Sequence, residues 1–376
     1  MTQDRHAHTP VSLFDAAADE LVKGLLDGGR STWSAARFEQ QAFENFRHQF
    51  EGCPPYRALC EAKGVTPAHV TRWQDVPMVP AAAFKHFDLT TEPGRAPEAV
   101  FRTSGTTRGA DGRGRHAVLR LDLYRASLAE PFRSALLPGD EAISFLSFIP
   151  SPGNAPDSSL SYMVGAAAES FASAVHWLVD AAGRWDPVAV RDVVRAARDE
   201  REPVLLLGTA LAFVNILEGD PEVLAGLPAG SRIMETGGFK GARRRVPREE
   251  LYEQLTRSTG IPLDHIVNEY GMTELLSQLY EPVLSEGLGV AGSHQPAPWL
   301  RVRALDPVTL AELPEGEEGV LAFFDLANLG SVSHVLTEDV GSVRSGRLHL
   351  RGRAAGSEPR GCSRAMDELM AAAGHG

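Results

Sequence analysis

Two segments of the chain place hydroxyl groups and glycines at spacings suited to binding phosphate. The first comprises Thr103, Ser104, Gly105, Thr106 and Thr107. Hydroxyl donors and main-chain N–H groups can surround phosphate oxygens, and a glycine lets the backbone approach them closely. The segment lacks the Gly-Lys-Ser/Thr ending of a Walker A loop. Because the same residue types are common in polar turns, an ordinary surface turn is the alternative interpretation.

The second segment joins an aromatic ring, a hydroxyl and a carboxylate in one short run. It passes through Asn268, Glu269, Tyr270, Gly271, Met272, Thr273 and Glu274. The ring can stack on a nucleotide base, and the Thr273 hydroxyl can bond a phosphate. The Glu274 carboxylate can hold a Mg²⁺ ion that bridges phosphates. The alternative is a strand-to-helix turn with Glu274 on a solvated face.

Two further positions add to this chemistry. Gly237 and Gly238 would let a flat ligand lie against bare backbone. Lys240 follows closely and is one of only four lysines among 37 basic residues, although a surface lysine is the plainer interpretation. Asp339 is predicted to lie in a turn, where its carboxylate would accept hydrogen bonds from ribose hydroxyls.

The segments that must position these groups alternate between strand and helix patterns. Apolar runs predict strands at 142–149, 174–179, 204–207 and 261–267, and helical patterns fall at 187–197 and 247–256. Such alternation predicts a mainly parallel sheet covered on both faces. Ligands of these sheets bind beyond the carboxyl ends of the strands, which is where the segment 268–274 falls.

The two ends of the chain show other secondary-structure patterns. Ser12 is predicted to cap a helix from Leu13 towards Leu26, and the first hundred residues read as mostly helical. Strand patterns at 300–304, 319–324 and 347–350 predict a small β-rich subdomain.

Composition narrows the classes of protein. A chain of 376 residues with 43% hydrophobic content supports one large multi-layer domain or two closely packed ones. The net charge of −12 argues against nucleic-acid binding, which needs a basic face. Three cysteines without Cys-x-x-Cys spacing argue against a disulfide framework or a cysteine metal site. Residues 1–10 are polar, and no run of about 18 apolar residues predicts a membrane span, so a cytoplasmic location is expected.

The ordered set of these motifs resembles the acyl-adenylate-forming (ANL) superfamily, which includes acyl-CoA ligases, luciferases and peptide-synthetase adenylation domains. The resemblance spans about residues 100–353 and implies ATP and Mg²⁺ as cofactors. It implies that Thr103–Thr107 form the phosphate loop, that Gly237 and Gly238 flank the adenine, and that the 268–274 segment lines the nucleotide. By the same resemblance Tyr270 stacks on the adenine, Thr273 contacts the α-phosphate, Glu274 holds Mg²⁺, Asp339 binds the ribose, and Arg353 lies at an interdomain hinge.

The sequence departs from the typical superfamily pattern in two places. Arg108 and the insertion after it change the end of the phosphate loop. Typical members continue well beyond the hinge as a mobile lid with a catalytic lysine, whereas this sequence has 23 residues after Arg353 and no lysine after Lys240. Arginine can neutralise phosphate charge but does not replace lysine in proton transfer.

The C-terminal run from Arg353 through Arg-Gly-Cys-Ser363 to Leu369 is similar to the end of the acyl-protein synthetase (LuxE) family. That resemblance implies activation of a fatty acid, transfer of the acyl group to Cys362, and delivery to a partner acyl reductase or acyltransferase. Cys362 is expected in a flexible tail beside Arg360 and Arg364, whose charge favours the thiolate. A passive tail cysteine is the alternative.

We therefore predict an α/β, ANL-type adenylating fold with helix-flanked, mainly parallel sheets and a small β-rich subdomain, and with the large lid domain missing or reduced to a short tail. The predicted regions are a helix-rich N-terminal part (1–97), a nucleotide- and acyl-binding core (98–297), the β-rich subdomain (298–351), and a hinge with a short tail (352–376). The predicted activity is that of an AMP-forming acid–thiol ligase, with Cys362, Glu274, Thr273 and Lys240 as catalytic residues. The alternatives are a ligase that uses coenzyme A or an acyl carrier protein, and a non-catalytic nucleotide-binding subunit.

Overall fold

The computed structural model describes residues 12–27, 33–103, 112–139, 142–237, 246–353 and 359–374. The helices in these ranges are α1 Leu13–Leu26, α2 Ala35–Gly52, α3 Pro54–Ala62, α4 Leu121–Leu136, α5 Ser159–Phe171, α6 Pro187–Glu200, α7 Ala210–Gly219, α8 Arg248–Thr259, α9 Val283–Glu286 and α10 Arg360–Ala372. The strands are β1 Val79–Pro80, β2 Ala99–Arg102, β3 Arg115–Val118, β4 Ile143–Ser147, β5 Ala172–Trp177, β6 Val204–Thr209, β7 Arg232–Thr236, β8 Ile266–Tyr270, β9 Leu279–Tyr280, β10 Leu300–Leu305, β11 Gly319–Asp325, β12 His334–Arg344 and β13 Arg347–Arg353.

A six-stranded sheet forms the centre of the α/β part. Its order is β5-β4-β6-β7-β8-β9, and its strands are parallel except for β9. Leu205 and Leu207 of β6 belong to the core that includes α4 and α5, whereas Leu206 packs in the core that includes α6, α7 and α8. Because both faces are covered, the inner strands read as continuous apolar runs. The predicted helix-flanked parallel sheet is confirmed.

A second, five-stranded sheet contains the predicted β-rich segments. Its order is β1-β12-β11-β10, and β13 pairs with β12. Phe323 and Val335 lie opposite each other on the face that joins the main core. Ala322 and Leu336 lie opposite each other on the other face, where α10 packs. The two faces of this sheet therefore contact different parts of the chain.

Helix α1 follows the predicted bounds, because the Ser12 hydroxyl accepts a hydrogen bond from the Asp15 amide at 3.0 Å. The predicted strand 261–267 is displaced, since Pro262 lacks an N–H donor and a 3-10 turn occupies Leu263–His265. Strand β8 therefore begins at Ile266 and includes the first residues of the segment that was expected to be a loop.

Two expectations for the C-terminal part are wrong. Asp339 lies within β12 rather than in a turn, because β13 pairs along this strand and places Arg353 opposite it. Cys362 lies in the first turn of α10 rather than in a flexible tail, and it is 2% exposed. Gly361 allows the first turn of α10 to pack this closely, because a Cβ there would lie 2.6 Å from Leu310 Cδ2 and 3.0 Å from the Pro307 carbonyl oxygen.

Candidate nucleotide-binding site

The two sheets meet at the end of β8. The Tyr270 hydroxyl donates a hydrogen bond to Asp339 Oδ2 at 2.7 Å. On the neighbouring strand, Arg353 Nε lies 3.4 Å from Asp339 Oδ1. Tyr270 and Asp339, predicted to contact the nucleotide, and Arg353, predicted at the hinge, thus come together from three different strands. We call this group the ribose cluster.

The Tyr270 ring is packed on one side by the five-stranded sheet. It stacks on Phe323 with ring centroids 5.5 Å apart and meets His294 edge-on at 6.4 Å. Burial, and then the Asp339 carboxylate, raise the pKa of Tyr270 well above its usual value. The phenol therefore stays protonated and donates to Asp339 at neutral pH.

The Asn268 side chain lies on the same face of β8 as Tyr270 and is hydrogen-bonded to two other side chains of the protein. Its Nδ2 donates to Glu235 Oε2 at 2.5 Å, and its Oδ1 lies 2.7 Å from His294 Nε2. Burial lowers the pKa of His294 to about 3, so the imidazole is neutral. If Asn268 Nδ2 donates to Glu235, His294 Nε2 must be the donor to Asn268 Oδ1. This chain of bonds orients the residues beneath Tyr270.

Glu269 points to the opposite face of β8, away from the ribose cluster, because successive strand residues alternate. The Thr236 hydroxyl donates to its carboxylate. Burial raises the pKa of Glu269 to about 7, which the Thr236 bond opposes. Gly271 leaves room for this carboxylate, because a Cβ there would lie 2.5 Å from Glu269 Oε1. Met272, the next residue, is partly buried against the main core.

Separate elements hold the turn at Thr273 and Glu274. His116 Nδ1 lies 2.7 Å from the Thr273 carbonyl oxygen, and Asn328 Nδ2 donates to the Glu274 carbonyl at 2.8 Å. Burial lowers the pKa of His116 to about 4, so the neutral ring donates from Nδ1. The Thr273 hydroxyl lies 3.5 Å from the Ser159 hydroxyl, and the Glu274 residue is 7% exposed.

Asp325 holds the main chain just after this turn by hydrogen bonds. Its Oδ2 accepts bonds from the amides of Leu276 and Ser277, each at 2.9 Å. His116, Asn328 and Asp325 were all missed by the sequence reasoning. They come from β3, from a 3-10 turn and from β11, and no local pattern links them to the turn they hold.

Thr103 lies at the base of the predicted phosphate loop, where β2 leads towards β3. Its hydroxyl accepts a bond from the Gly114 amide at 2.8 Å, and its own amide donates to the Gly114 carbonyl at 2.9 Å. Arg113 donates to the Thr103 carbonyl at 2.6 Å and pairs with Asp157 at 2.7 Å. The Arg113 guanidinium therefore closes the base of the loop.

Six predicted site residues lie outside the described residues: Ser104, Gly105, Thr106, Thr107, Gly238 and Lys240. Gly237, which precedes the second gap, is exposed at the end of β7 with a φ of 71°. Apart from its chain neighbours, no heavy atom of the described residues lies within 4 Å of where its Cβ would be.

Glu274 is the residue to which the superfamily resemblance assigns Mg²⁺. Among the described residues, no group of three or more His, Cys, Asp or Glu side chains could hold a metal ion. Mg²⁺ commonly takes one or two protein carboxylates and completes its shell with phosphate oxygens and water. A single carboxylate next to Thr273 fits that requirement.

Cys362 lies apart from all these groups. Its Sγ donates to the Thr337 carbonyl at 3.2 Å and packs with Ala322 and Leu336. Tyr270 packs on Phe323, which faces the other side of the same sheet. The predicted acyl acceptor and the ribose cluster are therefore on opposite faces of the five-stranded sheet.

The architecture is that of acyl-adenylate-forming enzymes. It resembles the open conformation of 2-hydroxyisobutyryl-CoA ligase solved with 2-HIB-AMP and CoA, with a TM-score of 0.59 and 14% identity over 85% of this chain and 69% of that one. At that identity the likeness concerns the fold.

In the described part of the chain, every helix is too short or too polar to cross a membrane.

Within that class, the sequence model for "Acyl-protein synthetase, LuxE" matches residues 29–371. The chain therefore belongs to the LuxE acyl-protein synthetase family. It is 29% identical over 115 residues to the long-chain-fatty-acid–luciferin-component ligase of Aliivibrio fischeri, covering 30% of this chain. It is 40% identical over 47 residues to the protein of the same name from Vibrio harveyi, covering 12% of this chain. These alignments span 28% and 12% of the two relatives' own lengths.

Proposed function

We propose that this protein uses ATP to activate a carboxylic acid, of the fatty-acid class, and then transfers the acyl group to the thiol of Cys362. The observation that carries the first half is the ribose cluster, which joins Tyr270 and Asp339 beside the Thr273–Glu274 turn. Membership of the LuxE acyl-protein synthetase family supports both halves.

In the first step an oxygen of the acid's carboxylate attacks the α-phosphorus of ATP, and pyrophosphate leaves as the bond to the β-phosphate breaks. Asp339, oriented by Tyr270, accepts hydrogen bonds from the ribose hydroxyls. The Thr273 hydroxyl and the loop that begins at Thr103 donate to phosphate oxygens. Glu274 would hold Mg²⁺, which neutralises phosphate charge when bound.

In the second step the Cys362 thiolate attacks the acyl carbonyl, the carbon–oxygen bond to the phosphate breaks, and AMP leaves. Helix α10 has to leave its seat first, because Cys362 and Tyr270 pack on opposite faces of one sheet. The resulting thioester is then available to a partner acyl reductase or acyltransferase.

The seat of Cys362 also favours a second candidate function. A buried thiol on the far side of the sheet is compatible with an external acceptor, either coenzyme A or the phosphopantetheine of a carrier protein. That ligase would share the first step and differ only in the thiol that receives the acyl group.

A labelling experiment separates these functions. The purified protein is incubated with ATP, Mg²⁺ and a labelled fatty acid, then denatured and treated with hydroxylamine. We expect hydroxylamine-sensitive label on the wild type and on Cys60→Ser, and none on Cys362→Ser. Cys60 is a matched control because it is a second buried thiol outside any disulfide.

The other outcomes decide against the proposal. Equal labelling of Cys362→Ser would contradict the assignment of the acceptor. Label found only on added coenzyme A or carrier protein would establish the second candidate. Absence of ATP–pyrophosphate exchange with every acid tested would leave a non-catalytic nucleotide-binding subunit.

A further inference from the structure

Four polar side chains lie buried together on the face of β8 that is turned away from the ribose cluster. They are Glu269, Gln278, Tyr124 and Tyr280, each at most 4% exposed. Glu269 and Tyr280 are directly paired across β8 and β9, so their side chains share one face of the sheet. A Cβ added at Gly271 would lie 2.5 Å from Glu269 Oε1 and 3.5 Å from Gln278 Cγ, so these two side chains are neighbours. We call the four side chains the Glu269 cluster.

The Gln278 amide has one end without a partner. Its Nε2 lies 3.4 Å from the Tyr124 hydroxyl and 3.5 Å from the Leu276 carbonyl. Because the Tyr124 hydroxyl donates to the Ser159 carbonyl, both of these contacts require a donor, which identifies the near atom as the amide nitrogen. Gln278 Oε1 is then a buried acceptor with no hydrogen-bond partner among the described residues.

The Tyr280 hydroxyl is a buried donor with a weak acceptor. It donates to Met163 Sδ at 3.8 Å, and a thioether sulfur accepts hydrogen bonds only weakly. Burial, and then the charge of Glu269, raise the pKa of Tyr280 well above its usual value, so the hydroxyl keeps its proton at neutral pH. The Glu269 cluster therefore contains an acceptor and a donor that a ligand can use.

The cluster lies between the proposed phosphate site and the apolar core. The Tyr124 hydroxyl donates to the Ser159 carbonyl at 3.2 Å, and the Ser159 hydroxyl lies 3.5 Å from that of Thr273. On its other side, the Tyr280 ring meets Phe132 edge-on in the main core, with centroids 6.2 Å apart. Since the ribose cluster lies on the opposite face of β8, an acid that reaches the α-phosphate at Thr273 has this face for its carbon chain. The polar groups then adjoin the carboxyl end of the chain, and the apolar core adjoins the rest.

The chemistry of the cluster identifies the substituent that it would bind. A plain hydrocarbon chain would leave Gln278 Oε1 without a donor and the Tyr280 hydroxyl without a strong acceptor, which is unfavourable inside a protein. An ammonium group offers donors only, so it cannot accept from Tyr280. A hydroxyl group both donates and accepts, and it therefore matches both protein groups.

We propose that the acid activated by this protein carries a hydroxyl group near its carboxyl end, and that the Glu269 cluster recognises this hydroxyl. The hydroxyl donates to Gln278 Oε1 and accepts from the Tyr280 hydroxyl. This assignment rests on the proposed acid-activating function and narrows its substrate from fatty acids in general to hydroxylated ones. A site that bonds a substrate hydroxyl discriminates strongly against the analogue that lacks it.

The test compares decanoic acid with its monohydroxy analogues, which carry the hydroxyl on the second, third or fourth carbon. In ATP–pyrophosphate exchange, the wild type should show a kcat/KM at least about tenfold higher for the best hydroxy acid than for decanoic acid. Gln278→Met, which keeps the length of the side chain, and Tyr280→Phe, which keeps the ring, should each lower this ratio to about one. Tyr56→Phe should retain the wild-type ratio, because the buried Tyr56 hydroxyl donates to the Pro77 carbonyl outside the cluster.

Isothermal titration calorimetry with the same acids separates recognition from chemistry. The best hydroxy acid should bind the wild type at least about tenfold more tightly than decanoic acid, and the two should bind Gln278→Met equally. That binding result without pyrophosphate exchange would refute the proposed activation step and still support the hydroxyl subsite. A wild type with no preference for any hydroxy acid, in binding or in exchange, would overturn the subsite. A preference that both Gln278→Met and Tyr280→Phe retain would overturn it as well.

Discussion

Asp339 shows how single side chains organise the candidate site. Its two carboxylate oxygens face different partners, the Tyr270 hydroxyl and the Arg353 guanidinium. A ribose that bonds to Asp339 would share or replace the Arg353 contact, because that distance of 3.4 Å is the longer of the two. The Tyr270 bond is the one that orients the carboxylate.

Tyr270→Phe should therefore raise the KM for ATP by at least about tenfold, since a hydrogen bond to a charged group contributes about 1.5–3 kcal/mol. The ring and its stacking on Phe323 remain, so the melting temperature should change little. Tyr56→Phe is the control, because the buried Tyr56 hydroxyl donates to the Pro77 carbonyl at 2.9 Å, outside the ribose cluster. Equal KM values for the two variants in ATP–pyrophosphate exchange would contradict the role given to Tyr270.

Glu269 makes stability depend on pH. Its pKa is raised from 4.5 to about 7 in the folded state because it is buried. The folded state holds this proton more tightly, so stability falls as the pH rises from about 4.5 to about 7. Glu269→Gln removes the titration and should be the more stable protein at about pH 8, by up to ~3 kcal/mol. Urea unfolding at about pH 5 and about pH 8 measures this, and parallel pH profiles would refute it.

At the scale of elements, helix α10 has one face seated on the five-stranded sheet and α3. Cys362 bonds to Thr337, Lys63 directly after α3 pairs with Glu368, and Gly361 approaches Leu310 closely. The first turn of α10 is thus the point at which a small change should loosen the helix.

Gly361→Ala should weaken the packing of the first turn of α10, because the added Cβ would lie 2.6 Å from Leu310 Cδ2. We expect faster alkylation of Cys362 under native conditions, measured by mass spectrometry. Cys53 and Cys60 are internal controls, since both are fully buried elsewhere. Gly289→Ala, where nothing lies within 4 Å of the added Cβ, should behave as the wild type. Unchanged alkylation of Cys362 in Gly361→Ala would show that the helix does not depend on this contact.

At the scale of the whole molecule, the N-terminal helices are joined to the core by buried amides. Asn45 Nδ2 of α2 donates to the Leu326 carbonyl at 2.9 Å. Gln49 Nε2 donates to the Asn328 carbonyl at 3.0 Å, and its Oε1 accepts from the Ser333 amide at 3.1 Å. Asn328 in turn holds the Glu274 carbonyl, so α2 supports the turn of the candidate site from a distance.

Gln49→Leu should lower the free energy of unfolding by about 2–4 kcal/mol, because buried polar groups lose their partners. Gln40→Leu on the same helix is the control, since its amide donates to Glu44 on the exposed surface. Circular dichroism and tryptophan fluorescence should report one shared transition in urea. An early, separate loss of helix in Gln49→Leu would show that α2 unfolds independently of the core.

Several features of this protein were predictable from local patterns. Strands β4 and β6 could be recognised in the sequence as apolar runs, because strands buried on both faces are apolar throughout. The Ser12 cap was readable because a helix start depends on adjacent residues. The end of β8 was misplaced because its polar residues, Asn268 and Glu269, are buried by partners that lie elsewhere in the chain.

By itself, the sequence determined the order of the motifs, the parallel sheet and the family, since each depends on residue types and their spacing. The tertiary structure alone decided that Asp339 meets Tyr270, 69 positions away, and that His116 and Asn328 hold the Thr273–Glu274 turn. It also decided that Cys362 is buried behind the sheet that carries Asp339. The physical reason is that these contacts arise when separate strands and helices pack, and the partners of a buried polar group cannot be read from its neighbours in sequence.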